Sequence, residues 1–170
     1  MKTVYLLRHA KSSWRDIELD DFERPLNKRG KRDLPFMSEL LAKKVDKIDC
    51  IVSSPALRTK NTAEVMAAHL SYPLEKIIWD LHIYNEDADY LYDLIKNLND
   101  EDDSLLLVGH NPAITILANS LCISAYIDNM PTCCIYAISF DTTAWAEISS
   151  RNSQFLFAEF PKKYFPKDVE

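Results

Sequence analysis

The stretch TVYLLRHAKSSW, residues 3–14, opens on an apolar run, Val4 to Leu7, and then turns at once to arginine, histidine and lysine. A short continuous apolar run bounded by polar residues suits a strand buried on both faces. Two later stretches repeat the design, IDCIVSS at 48–54 and SLLLVGH at 104–110. All three end in chemistry: Arg8-His9, then SSPALR with Arg58, then GHNP with His110.

Apolar stripes at helical spacing lie between and after these runs: Ala63, Met66, Ala67, Leu70; Leu91, Leu94, Ile95, Leu98; Ile114, Leu117, Ala118, Leu121. Strands alternating with helices predict a three-layer α/β/α fold. Its central sheet is mostly parallel, with helices on both faces. KIIW (76–79) reads as a weaker strand, and CCIYAISF (133–140) and QFLFAEF (154–160) as later ones that supply an antiparallel edge. Residues 28–44 read as a helix with Pro35 in its first turn or at a kink. Ser54 before Pro55, and Asn111 before Pro112, match a helix N-cap followed by proline at the first helical position. No repeat, low-complexity stretch or linker interrupts the 170 residues, so a single domain over 1–170 is expected, with FPKDVE (165–170) fraying.

Composition narrows the function. With 47% hydrophobic and 27% charged residues, and no apolar run long enough to span a bilayer, the chain reads as a globular protein with no membrane segment. Nothing at its start resembles a signal peptide, and Cys50, Cys122, Cys133 and Cys134 lack metal or redox spacing, so a cytoplasmic protein with reduced thiols is expected. The net charge of −6 argues against a nucleic-acid partner, yet its distribution is uneven. Residues 1–60 hold 14 Lys and Arg against 9 Asp and Glu, a balance of +5, while the rest holds 6 against 17, a balance of −11. A basic third on an acidic body suits a local anionic ligand better than a long polyanion.

In open α/β sheets ligands sit at the carboxyl ends of the strands, so three chemically loaded strand tips meet in one crevice. Alone, Arg8 or Arg58 would read as an ion-pair residue, and a single histidine as a structural one. Jointly, two arginines and two histidines at strand ends, beside helix starts, describe an anion pocket that phosphate fits best. His69 lies off its helix's apolar stripe and reads as solvated, and His82 is a weaker candidate for lining the site.

The motifs LLRHAKSSW, ERPLNKRG, SSPALRTKNTAE and VGHNP, in this order and spacing, resemble the histidine phosphatase superfamily and its SixA-like phosphohistidine phosphatase branch. The resemblance covers nearly the whole chain, and implies a phosphoglycerate-mutase-like fold and metal-independent phosphatase activity with no cofactor. It maps the nucleophile onto His9, the phosphate-binding arginines onto Arg8 and Arg58, and a second site histidine onto His110. Ala10 stands where glycine is commoner in the family. Arg24 and Arg15 are further substrate-side cations, and the role of Lys11 stays open. His9 would attack phosphorus as a neutral ring, with its other nitrogen donating to a backbone carbonyl, while Arg8, Arg58 and a protonated His110 hold the phosphoryl oxygens. For the leaving-group acid, Asp80 is best placed after the weak fourth strand, with Glu86 and Asp87 behind it. The substrate implied is phosphohistidine on a signalling protein; a small phosphate ester or nucleotide is the alternative, and a non-catalytic phosphate-binding module a third reading.

Overall fold

Side-chain alternation along the first strand sorts the molecule into layers. In the computed structural model, which describes residues 1–167, β1 (Lys2–Arg8) turns Val4 and Leu6 to one face and Tyr5 and Leu7 to the other. Val4 and Leu6 join Leu105 and Leu107 of β4 (Ser104–Gly109), and α4 (Ala88–Lys96) and α5 (Ala113–Leu121) cover them with Leu91, Ile95, Ile114 and Leu117. On the opposite face Tyr5, Leu7, Leu106 and Val108 lie with Leu34, Met37 and Leu41 of α1 (Lys28–Lys44) and Met66 of α2 (Leu57–His69). Strands buried on both faces have no need of polar alternation, which is why they read as continuous apolar runs.

Four more strands complete a six-stranded sheet: β2 (Cys50–Ser53), β3 (Ile78–Trp79), β5 (Ile135–Phe140) and β6 (Ser153–Glu159), in the order β3-β2-β4-β1-β5-β6. The first four in that order pair parallel, whereas β5 is antiparallel to both β1 and β6. The reversed strand therefore sits one place in from the edge, and the edge strand β6 runs in the direction of β1. No α-helix separates β5 from β6, only a 3-10 turn at Trp145–Glu147, which suffices for an antiparallel connection. The weak strand at 76–79 shrinks to two exposed residues, as the outermost position in a sheet permits.

Two expected helix caps are not formed. Helix α2 starts after Ala56, and Ser54 lies two residues ahead of that cap. Helix α5 starts after Pro112, and the Asn111 side chain accepts from Thr115 Oγ1 at 2.6 Å and donates to Met130 O at 3.0 Å. Ser54 Oγ still accepts from Ala56 N at 3.2 Å, ahead of the helix rather than as its cap. Helix α1 is capped by Asn27, whose Oδ1 accepts from Gly30 N at 2.8 Å. Pro35 is the eighth residue of α1 rather than in its first turn, and it is exposed. All four cysteines are free and buried. Of the FPKDVE segment, Phe165 packs on Phe36 with ring centroids 5.2 Å apart, and residues 168–170 lie outside the described part. No helix among the described residues is long and apolar enough to cross a membrane.

Candidate active site

Parallel strands β1, β2 and β4 end at one edge, and their register sets the site. Arg8 lies level with Gly109, so the next residues, His9 and His110, leave neighbouring strands together, with ring centroids 5.4 Å apart. His9 is pinned by its backbone, with N–H donating to Gly109 O at 3.2 Å and O accepting from Cys133 N at 3.0 Å. Arg8 reaches sideways to donate from Nη1 to Met130 O at 2.8 Å. Arg58 enters from the first turn of α2, just beyond β2. These four side chains line one cavity of about 330 Å³, together with Lys11, Asp21 and Arg24.

The charge state of the histidines follows from burial and from the arginines. His9 Nδ1 donates to Ala10 O at 2.8 Å, which leaves Nε2 as the ring nitrogen with a free lone pair. Desolvation pushes the His9 pKa down to about 3; the Ala10 bond opposes this, and His110, Arg58 and Arg8 add to it. His110 is also pushed down to about 3, by desolvation first and then by Arg58, with Asp21 acting in the opposite sense. By this balance both rings are neutral at pH 7. Burial and the two arginines disfavour a third positive charge at His110, so the protonated state expected of it calls for a bound anion beside it. His110 Nε2 meets Ser54 Oγ at 2.8 Å, and the same oxygen accepts from Ala56 N at 3.2 Å. Among the described residues, Arg58 Nε and His110 Nδ1 are buried without a hydrogen-bond partner.

The other candidates divide. Arg24 is buried in the pocket wall, donating from Nη1 to Ser12 Oγ at 2.7 Å and stacking on Trp14 at 3.5 Å from the ring centroid. Arg15 does not line this cavity but an adjoining groove. Asp80, the leading choice of acid, does not line it either. Its carboxylate accepts from His82 N at 2.9 Å and from Tyr90 OH at 2.7 Å, as a turn-stabilising group does. Asp87 caps α4, and Glu86 lies 3.9 Å from His82. His82 and His69 are exposed and outside the pocket.

Sequence reasoning missed Asp21. Its carboxylate accepts from Arg58 Nη2 at 2.9 Å, Arg24 Nε at 2.9 Å and Tyr84 OH at 2.8 Å, tying three elements together at the pocket wall. Partial burial works to raise its pKa, but the bonds from Tyr84 and Arg58 prevail and hold it at about 2. Its sole sequence signal is a three-residue spacing to Arg24, which any surface ion pair shares. Thr62 was missed as well: it accepts from Ala10 N at 3.0 Å and donates to Arg58 O at 2.7 Å, bracing the two site segments against each other. No group of three or more His, Cys, Asp or Glu among the described residues is arranged to hold a metal ion.

The parallel strands gather arginines and imidazoles at one carboxyl edge, an arrangement able to bind an anion such as a phosphoryl group. Comparison with known proteins makes the class specific. Residues 4–80 match the model of the histidine phosphatase superfamily (branch 1). The structure superposes on the Agrobacterium tumefaciens protein assigned as the phosphohistidine phosphatase SixA with a TM-score of 0.81 and 25% identity, over 94% of this chain and 98% of that one. It superposes on SixA complexed with tungstate with a TM-score of 0.79 and 23% identity, over 95% and 99% of the two chains. An uncharacterized chloroplastic protein of Arabidopsis thaliana is 30% identical over 118 residues, which are 65% of this chain and 54% of that protein. The chain thus spans about half the length of that relative. Over residues 4–80 the chain is thus similar to the histidine phosphatase superfamily, and its fold is SixA-like.

Proposed function

We propose that this pocket transfers a phosphoryl group to His9 and then to water, and that its substrate is phosphohistidine on a partner protein. The observation that carries the first part is the bond from His9 Nδ1 to Ala10 O at 2.8 Å, which presents a neutral ring with its Nε2 lone pair unprotonated between the pocket arginines. In the first step Nε2 forms a bond to phosphorus as the bond from phosphorus to the substrate nitrogen breaks, and that nitrogen keeps the electron pair. In the second, a water oxygen bonds to phosphorus, the His9 nitrogen recovers its pair, and phosphate leaves. Arg8 and Arg58 offset the charge on the transferring oxygens in both steps. A phosphoryl dianion places an opposite charge beside His110 and draws a proton onto it.

The acid inventory supports the substrate class. Asp80, Glu86 and Asp87 are outside the cavity, and Asp21, the carboxylate in its wall, is held ionised by its donors. An alkoxide leaves badly without a proton. A phosphohistidine protonated on its other ring nitrogen leaves as neutral imidazole and asks nothing of the enzyme. The SixA likeness supports the same class, and the four free buried thiols suit a reducing compartment such as the cytoplasm.

The test is a substrate panel at one pH: a phosphohistidine peptide, phosphoramidate, an aryl phosphate and an alkyl phosphate. The phosphohistidine peptide should exceed the alkyl ester in kcat/KM by ~10² or more, the usual worth of the missing general acid. Equal or faster hydrolysis of the alkyl ester would overturn the assignment.

A further inference from the structure

Beside the phosphate pocket runs a second, larger depression, a groove of about 740 Å³ against about 330 Å³ for the pocket. It lies between the loop that follows β1 and the start of α1. The two cavities share Lys11, Ser12 and Trp14 as a common wall, so a ligand can continue from one into the other. Five cationic side chains line the groove, Lys11, Arg15, Lys28, Arg29 and Lys31, and no acidic residue does. Lys11, Arg15, Lys28 and Lys31 have no carboxylate within ion-pair distance among the described residues. Lys28 and Lys31 are exposed, and with Arg29 they occupy the first turn of α1, where no acidic residue answers the helix dipole. Positive charge at that end works against the helix itself. The residues are placed for something outside the chain.

We propose that this groove binds an acidic polypeptide segment flanking the phosphorylated residue of the partner protein. The inference rests on the substrate class proposed above and adds how the partner is selected. Charge decides the occupant. A nucleic acid needs a basic face that continues across the molecule, whereas residues 61–170 hold 17 Asp and Glu against 6 Lys and Arg and would repel one. A free small phosphate ester is spent once its phosphoryl group fills the smaller pocket, and leaves the groove without use. A polypeptide reaches both: its phosphoryl group enters between Arg8 and Arg58 while neighbouring Asp and Glu residues lie along Lys11, Lys28 and Lys31. Trp14, 69% exposed and backed by the Arg24 guanidinium, offers a flat apolar surface at the junction for the chain that links the two.

The experiment compares two synthetic peptides with the same central phosphohistidine, one flanked by Asp and Glu, the other by Ser and Gly, with phosphoramidate as the small control. The protein is the full chain and the double variant Lys28→Gln/Lys31→Gln, both changes being at exposed positions away from the phosphate pocket. For the full chain the acidic peptide should show a KM roughly tenfold lower than the neutral one, and added salt should erase most of the difference. The double variant should raise KM for the acidic peptide by a similar factor, with kcat unchanged and phosphoramidate hydrolysis untouched. Equal KM values for the two peptides overturn the groove proposal and leave the phosphohistidine assignment standing. A variant that loses activity on phosphoramidate in the same proportion also overturns it, since the lysines would then serve the fold or the pocket. No hydrolysis of either peptide or of phosphoramidate sinks the underlying assignment instead.

Discussion

The His9 backbone is fixed by Gly109 O and Cys133 N, bonds that an alanine would keep, so its chemistry and its structure are separable. His9→Ala should abolish turnover on every substrate while leaving the circular dichroism spectrum and the urea midpoint near those of the parent. Parent protein quenched during turnover should carry acid-labile, base-stable phosphate. Substantial activity in the variant would exclude the covalent route. Asp80 gives the opposite expectation. Because its carboxylate serves Tyr90 and the His82 backbone outside the pocket, Asp80→Asn should change kcat by less than about threefold on aryl, alkyl and nitrogen-linked phosphates alike, where a lost general acid costs ~10² to 10⁴. A selective collapse on the alkyl ester would return Asp80 to the mechanism. Sequence placed Asp80 well along the chain, directly after the weak strand, but position along a chain does not reveal what a side chain's neighbours have already claimed. Asp21 is the converse case. An acid three residues before an arginine is ordinary, and only α2, folding back with Arg58, makes it part of the pocket wall.

Elements were legible in proportion to their burial. The three strands that end in the site show as unbroken apolar runs because helices cover both their faces, whereas β3, two residues long and exposed, shows only as the weaker run KIIW. The proline-based cap signals at Ser54 and Asn111 put the helix starts too early because they are local rules: Ser54 accepts from Ala56 N but also meets His110, and Asn111 is taken by Thr115 and Met130. The docking of α1 is written in a single glycine. A Cβ on Gly30 would sit 2.2 Å from Lys11 O, the same carbonyl that accepts from Asn27 N at 3.0 Å. Backbone cannot yield as a side-chain tip can, so Gly30→Ala must push α1 away from the segment that carries Lys11 and, two residues earlier, His9. Loss of about 1–3 kcal/mol of stability is expected, the usual cost of overpacking, despite alanine's better helix propensity. Activity should fall with it. Urea denaturation and kcat/KM on phosphoramidate check both, and parental values in each would show that helix and loop are not in such close contact.

Across the molecule, the site costs stability in acid. His9 and His110 titrate near 3 in the folded chain and near 6.5 when unfolded, so between these values the unfolded state binds the extra protons. The contribution of the neutral rings to stability is complete above about pH 6.5 and is lost as pH falls toward 3. Asp21 adds its own loss lower down, between its unfolded value and about 2. Urea midpoints should therefore drop steadily from pH 7 to pH 4, and His110→Gln should flatten that slope. A midpoint independent of pH over this range would contradict the buried, neutral state of the rings. The opposite end of β1 has a different practical meaning. There the Lys2 ammonium is clasped by Asp100 O at 2.6 Å, Asp102 O at 2.8 Å and Asp103 Oδ1 at 2.8 Å, and Met1 stands 62% exposed. Seven residues of extended chain separate this end from His9, roughly 20 Å at the usual rise of a strand. A bead or sensor surface coupled through Met1 would face the molecule's blunt side and leave the pocket and its groove open to a ligand as bulky as a second protein.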